Sequence, residues 1–353
     1  MTDSQGSPWD FNDPADAERF RRELAEGAQV GEAVAGLRPS ARALGSALLT
    51  YVDVVDDAMH AGAHASAQQR GFLGDDFDER FDEPPWMPVA GAPAEVEQSE
   101  LIALGWAPEF LQRDYDDDYG RILYVVHRIA DAAIDHLRAI GILIVDGRVI
   151  RPPLALARIS LEASAQVVHL LQEQCSAAER VGQVLNAEIL ALAEERRVER
   201  KQRNSNEVRQ LDREMKDLAS YAASQGCARD KTDRSYIAPK IGPSVMIDRA
   251  LTQNEYGEMW HVLSTFVHPL GDEGYRLLLG PTAPTERAHR VSISALHVLP
   301  AILVTISAHR AIARYTGWDL SAADKRADPL LELWTHGSGM RDDHYRSQLG
   351  VER

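Results

Sequence analysis

The feature that most constrains the fold is an apolar stripe in the segment from Asp114 to Ile142. Its members recur mostly three or four residues apart, so they share one face of a helix. They are Ile122, Val125, Val126, Ile129, Ala133, Leu137 and Ile140. Four aspartates precede the stripe, where negative charge is favourable against the helix dipole. A helix with one long apolar face needs other helices to cover it, so the stripe predicts a helical bundle.

Helical periodicity recurs along most of the remaining chain. Pro152 and Pro153 suit the first turn of a helix, and Ser176 with Glu179 forms a capping-box pattern at the start of the next. Helices are predicted at about residues 40–69, 152–174, 176–203, 208–222, 254–268, 286–314 and 330–334. Two short apolar runs around Asp146-Gly147 predict a small β-hairpin near residues 144–150. The predicted fold class is therefore all-α, with long irregular loops and at most this one hairpin.

A run of acidic residues followed by four prolines lies between Gly71 and Gln98, and such a segment predicts a long loop or linker. The chain then divides into five segments: a flexible N-terminal segment (1–37), a helical segment (38–70), an acidic proline-containing linker with a short helix (71–113), a main helical bundle (114–318), and a short C-terminal helix with a tail (319–353).

The charge balance is acidic, with a formal net charge of -16. That balance excludes a dedicated nucleic-acid coat protein but leaves room for a local basic patch. Cys175 and Cys227 have no metal-like spacing, so both are expected to be reduced thiols. The sequence shows neither an apolar secretory region near its start nor 18 consecutive apolar residues, which favours a cytoplasmic protein without a membrane partner.

One predicted helix has a polar stripe that could line a site. Glu258, His261 and His268 lie on one face, because their spacing of three and seven residues follows the helical period. Ser264 lies in the same segment, and His268 precedes Pro269 near the helix end. Two imidazoles on a helix with a separate core face predict a site wall, although an ordinary solvated face fits the same pattern.

A second candidate is the charged pair Arg158 and Glu162, which lies in an otherwise apolar helix. Buried charges are costly unless they are paired, so the two side chains form either a structural ion pair or part of a charged pocket. In the pocket hypothesis Arg180 comes from the next helix and the polar stripe closes the site. The predicted catalytic set is Arg158, Glu162, Arg180, Glu258, His261, Ser264 and His268.

These motifs carry a family resemblance over about residues 120–310. The elements are Arg158-Ile-Ser-Leu-Glu162-Ala, then Glu179-Arg180, then Tyr256 with Leu263-Ser264-Thr-Phe-Val-His268-Pro269. The pattern resembles a family of uncharacterised actinobacterial all-helical proteins, which are similar in outline to HEPN bundles. That resemblance implies an RNA-directed toxin or defence effector, a possible ribonuclease, or a nucleotide-binding module.

HEPN ribonucleases have about four to six residues between an arginine and the histidine that follows it. Arg121 with His127 and Arg290 with His297 have such spacing, but an apolar residue follows each arginine. A non-catalytic HEPN-like bundle therefore fits equally well. In a cleaving enzyme the arginine would stabilise the phosphate and the histidine would act as general base. Basic residues between Arg196 and Arg203 could contact an RNA backbone, or form a solvated helix end.

Two further functions remain open. Three groups of residues have spacings seen at metal sites: Asp56 with His60 and His64, His127 with Asp131, and Glu258 with His261. A di-iron carboxylate oxidase is therefore an alternative, in which Glu162 or Glu188 bridges the metals. Outside that alternative no cofactor is favoured. The third class is a non-catalytic interaction or scaffold protein, expected to form homo-oligomers.

Overall fold

The computed structural model describes residues 39–71, 73, 86–111, 120–146, 151–231, 236–237, 241–253 and 284–338. Helices account for 82% of this part of the chain, and none of it forms a strand, so the all-α prediction is confirmed. The helices are α1 (Ala41–Gln69), α2 (Pro93–Ala103), α3 (Pro108–Leu111), α4 (Arg121–Asp146), α5 (Arg151–Leu170), α6 (Ala177–Gln202), α7 (Ser205–Ser224), α8 (Pro243–Gln253), α9 (Pro284–Thr316) and α10 (Ser321–Ser338).

Helix α5 is central to the packing. It contacts α4, α8 and α9, while α1 covers α4 and α10 covers α1 and α9. One cluster of buried apolar side chains extends from Leu44 in α1 to Trp334 in α10. The indole of Trp334 donates to the Leu44 carbonyl over 3.2 Å, which satisfies its only polar atom in the core.

Helix α1 continues through two glycines because both lie at close contacts. A Cβ on Gly45 would lie 2.7 Å from the Gly141 carbonyl oxygen of α4, and one on Gly62 would lie 2.7 Å from Trp318 Cγ. Both distances are too short for a side chain. The glycines therefore let α1 approach its neighbours, and this approach compensates for their low helix propensity.

The predicted hairpin near residues 144–150 is wrong in its first half, because α4 extends to Asp146. Residues 147–150 lie outside the described residues. Ile144 continues the stripe of α4, four residues after Ile140, and both are buried. The core contact on that face favours another helical turn over a strand pair that would leave Ile144 exposed. The described residues contain one isolated antiparallel bridge, Arg229 to Ile237.

The long loop predicted between Gly71 and Gln98 is too long at its C-terminal end, since α2 begins at Pro93. Proline fits this first turn because its missing N–H would have no helical partner there. The helix predicted at 330–334 is much longer in the structure, where α10 covers Ser321–Ser338 and includes Pro329.

The capping box that begins α6 is confirmed. The Ser176 hydroxyl accepts from the Glu179 amide over 3.4 Å, and the Glu179 carboxylate accepts from the Ser176 amide over 3.0 Å. Helix α6 ends at Arg203 in a left-handed conformation, with φ of 61°. The turn reverses the chain, so α7 packs against α6 as a helical hairpin. Of the helices in the described ranges, none is both long and apolar enough to cross a membrane.

Candidate functional site

Arg180 lies in a buried ion cluster at the start of α6. Its Nε donates to both carboxylate oxygens of Glu97 in α2, over 3.0 and 2.9 Å. Its guanidinium also donates to the backbone carbonyls of Leu170, Gln172 and Cys175. Nearly every N–H donor of this buried side chain is hydrogen-bonded within the fold, so Arg180 connects α2, α6 and the end of α5.

Tyr315 of α9 completes this cluster. Its hydroxyl donates to Glu97 Oε2 over 2.8 Å, and its ring lies 5.1 Å from Arg180 Cζ. Burial, with a smaller contribution from the Glu97 charge, raises the pKa of Tyr315 well above its ordinary value. Burial likewise raises the pKa of the nearby Cys175 thiol, which disfavours a thiolate nucleophile at this position. We call Glu97, Arg180 and Tyr315 the buried ion cluster.

The other predicted charged pair lies elsewhere on α5. Arg158 Nε donates to Glu162 Oε1 over 2.8 Å, and both side chains are partly exposed. Glu162 precedes Leu170, the α5 residue that Arg180 contacts, by eight residues, or about 12 Å along the helix. The structure thus brings Arg158 and Glu162 together and gives Arg180 a different carboxylate partner, Glu97.

The remaining predicted site residues, Glu258, His261, Ser264 and His268, lie outside the described residues. Their convergence with Arg158 and Glu162 stays a prediction.

Of the two HEPN-like pairs, the structure describes both side chains only for Arg121 and His127. Arg121 Cζ lies 4.3 Å from the Phe110 ring centroid, and Arg121 Nη1 lies 3.4 Å from Glu188 of α6. His127 instead stacks on Trp86, with ring centroids 3.2 Å apart, and its Nδ1 lies 2.9 Å from Asp131. The two side chains therefore have separate surroundings. His297 is buried in α9, and the side chain of Arg290 lies outside the described residues.

Two of the three possible metal ligands on α1, Asp56 and His60, lie 3.4 Å apart (Asp56 Oδ1 to His60 Nδ1) and take part in ion pairs. Asp56 Oδ2 accepts from Arg138 of α4 over 2.7 Å. A hydrogen bond from His60, supported by the Arg138 guanidinium, holds the pKa of Asp56 below its ordinary value. A search of the described ranges finds no group of three or more His, Cys, Asp or Glu side chains placed to hold a metal ion.

A groove of about 1060 Å³ lies between α4, α6 and α7 in the described structure. Helix α6 forms its floor, since it packs against both α4 and α7. The side chains that line the groove, which we call the acidic groove, are Phe110, Arg121, Tyr124, Val125, Arg128, Ile129, Gln166, Ala187, Glu188, Leu190, Ala191, Leu192, Glu194, Glu195, Glu214, Asp217, Leu218 and Tyr221.

The charges of the acidic groove are predominantly negative, with five carboxylates against two guanidinium groups. Arg121 lies beside Glu188, and Arg128 donates to the Tyr124 hydroxyl over 3.0 Å. Within the described part of the chain, the exposed carboxylates of Glu195 and Asp217 have no ion-pair partner. The lining as a whole therefore has a net negative charge, and its Glu195 and Asp217 carboxylates are open to solvent.

An aromatic cluster closes one end of the acidic groove. Tyr221 of α7 and Phe110 of α3 have ring centroids 3.8 Å apart, and Trp106 lies 5.7 Å from Tyr221. The Tyr221 hydroxyl accepts from the Ala107 amide over 2.8 Å, which fixes the ring against the segment before α3. This end wall is thus built of packed aromatic rings, and the Arg121 guanidinium lies over the ring of Phe110.

Sequence reasoning did not identify this groove, although part of its signal was readable. The helix with the strongest apolar stripe, α4, also carries Arg121, Tyr124 and Arg128 beside that stripe. Leu190 and Leu218 indicate apolar faces on α6 and α7. Which of these faces meet depends on the turn at Arg203 and on the packing of α6 against α4. Neither is encoded in the local pattern.

The basic run at the end of α6 is partly neutralised. Arg196 lies 2.6 Å from Asp212 and Arg197 lies 2.7 Å from Glu194. These pairs fit the solvated helix end, which was the alternative to an RNA contact, and they reduce the positive charge available to a phosphate backbone.

Comparison with protein-family models, with curated proteins and with solved structures finds no match for this chain.

Proposed function

We propose that the chain is a non-catalytic binding protein whose ligand is cationic and occupies the acidic groove. The observation that carries this proposal is an open groove of about 1060 Å³ whose lining has five carboxylates against two guanidinium groups. A ligand of positive charge gains from this potential, whereas a nucleotide or an RNA backbone is repelled by it.

The described parts of the predicted catalytic site support the same conclusion. The guanidinium of Arg180 is bonded to the Glu97 carboxylate and to backbone carbonyls, and that of Arg158 is bonded to Glu162. A catalytic group needs a free proton or a free charge aimed at a substrate. The groove offers instead an apolar and aromatic lining with carboxylates around it, a composition suited to recognition.

The test uses fluorescein-labelled octalysine as a cationic probe, with octaglutamate and ATP as anionic comparisons, measured by anisotropy with the full chain. Octalysine should bind, and its affinity should fall when salt rises from about 50 to 300 mM, because exposed charges are screened. The anionic probes should not bind measurably.

The double variant Glu195→Gln/Asp217→Asn should weaken octalysine binding by about tenfold, the loss expected for two exposed charge contacts of about 0.7 kcal/mol each. The control Asp328→Asn/Glu332→Gln removes two exposed carboxylates from α10, away from the groove, and should bind as wild type. Equal effects of the two variants would contradict the groove as the site. Cleavage of total RNA by wild type but not by His268→Ala would favour the RNA-directed alternative.

A further inference from the structure

The shape of the acidic groove restricts what kind of cation can fill it. Along α4 the lining residues extend from Arg121 to Ile129, and along α6 they extend from Ala187 to Glu195. Each interval is eight helical rises, or about 12 Å. An occupant that follows both helices is therefore about two turns long where it makes contact.

The lining also provides a continuous apolar strip. Val125 and Ile129 face it from α4, Leu190 from α6 and Leu218 from α7. The last three side chains are only partly buried, so they expose apolar area that a ligand could cover. Small residues at 187 and 191 on α6 leave room for a bulky side chain between the larger ones.

Four of the five carboxylates that line the groove come from the second half of α6 and from α7. Glu194 and Glu195 come from α6, while Glu214 and Asp217 come from α7 one turn apart. The opposite wall, on α4, carries Tyr124 and Arg128, which hydrogen-bond each other. The α6 and α7 part of the lining thus carries these four carboxylates and the α4 wall carries the two arginines, so a ligand should carry its positive charges on the side that faces α6 and α7.

From this arrangement we infer that the occupant of the acidic groove is a basic amphipathic helix of a partner protein, an inference that rests on the proposed function. Apolar side chains at positions i, i+4 and i+7 span about 10.5 Å, which matches the strip. A helix of about 10 Å diameter would lie on α6 between α4 and α7 and complete a four-helix arrangement. Lysine or arginine on its flank would face the unpaired carboxylates of Glu195 and Asp217.

The experiment compares three labelled 14-residue peptides of matched length with the full chain. The first carries leucines on one helical face and lysines elsewhere, the second has the same composition with its leucines spread around the helix, and the third replaces lysine by glutamate. The one-faced basic peptide should bind about tenfold or more tightly than the spread peptide, because only it buries its leucines together. The acidic peptide should bind at least as weakly as the spread one.

Two matched variants locate the binding. Ala191→Arg places a long cation in the strip and should abolish binding of the one-faced peptide. Ala223→Arg adds the same side chain at an exposed position of α7 that does not line the groove, and should leave the affinity unchanged. Circular dichroism of both variants checks that the helices are retained, and equal losses of affinity in these folded variants would overturn the inference.

The outcomes separate the two proposals. If octalysine binding depends on Glu195 and Asp217 but both basic peptides bind equally, the helix inference fails and the proposed function stands. If neither octalysine nor a peptide distinguishes groove variants from their controls, the proposed function fails. Self-association of the full chain that Ala191→Arg abolishes would identify a second copy as the occupant and overturn the inference, and so would preferential binding of RNA.

Discussion

The buried ion cluster and the acidic groove use the same kinds of side chain in opposite ways. In the cluster, Arg180 and Glu97 are 4% and 14% exposed and each is held by several hydrogen bonds. In the groove, Glu195 and Asp217 are exposed and have no ion-pair partner within the described residues. Charge that is buried and satisfied holds the fold together, whereas charge that is left open to solvent is available to a ligand.

The largest expected effect comes from breaking the cluster. Arg180→Met should lower the free energy of unfolding by about 3–5 kcal/mol, because it leaves the Glu97 carboxylate buried without its counter-charge. Urea denaturation followed by circular dichroism measures the loss. The control Arg158→Met removes a partly exposed pair and should cost about 1 kcal/mol or less. Similar losses for both variants would show that burial does not distinguish the two arginines.

The next effect concerns the hydroxyl of Tyr315. Tyr315→Phe removes a hydrogen bond to a charged group and should cost about 1.5–3 kcal/mol of unfolding free energy. Because the pKa of Tyr315 is raised in the fold, its hydroxyl contributes fully to stability at a pH below the ordinary tyrosine pKa of about 10. This contribution is lost as the pH rises above that value. Wild type should therefore lose stability more steeply than Tyr315→Phe above that pH. Parallel alkaline slopes would contradict the role of this hydroxyl.

A smaller effect is expected at acidic pH, from another buried polar group. His309 of α9 lies 3.0 Å from the Tyr51 hydroxyl, and burial lowers its pKa to about 4. A depressed histidine pKa means that the unfolded state binds protons first, so stability is lost as the pH falls below about 6.5. The contribution lost between pH 7 and pH 5 is about 1–2 kcal/mol.

The test compares acid slopes by urea denaturation at several pH values. His309→Gln should flatten the slope between pH 7 and pH 5, whereas His136→Gln, at a partly exposed position of α4, should keep it. An unchanged slope in His309→Gln would mean that this imidazole takes up its proton at the same pH in the folded and the unfolded chain, which would contradict the lowered pKa.

The smallest effect on stability is expected in the groove. Glu195→Gln/Asp217→Asn should change the free energy of unfolding by less than about 0.5 kcal/mol, because exposed charges without partners contribute little to the fold. Urea denaturation of this variant beside Asp328→Asn/Glu332→Gln measures it. A loss above about 1 kcal/mol would place these carboxylates with the structural charges and remove the contrast between the two regions.

Local patterns predicted those features whose causes lie within one or two helical turns. The stripe of α4 and the capping box at Ser176 are of this kind, since each depends on residues three or four positions apart. The hairpin near 144–150 failed because the turn dipeptide Asp146-Gly147 suggested a reversal, while the burial of Ile144 against the core favoured continued helix.

The candidate sites show the same limit more strongly. Arg180 was predicted to join Arg158 and Glu162 in a charged pocket, but its partner Glu97 is 83 positions away and was part of a segment predicted as linker. Tyr315 is 218 positions from Glu97, and no spacing rule connects them. The groove needs three helices at once, so its carboxylates look like ordinary solvated residues when each helix is considered alone.

The sequence by itself determined that the chain is all-α, approximately where several of its long helices begin and end, and that its overall charge is negative, because periodicity, capping and composition act locally or as sums. Only the tertiary structure decided which charged side chains are paired within the fold and which remain exposed to solvent. That choice depends on which helix faces meet, and the meeting is set by close approaches such as Gly45 with Gly141 and by core packing across the whole chain.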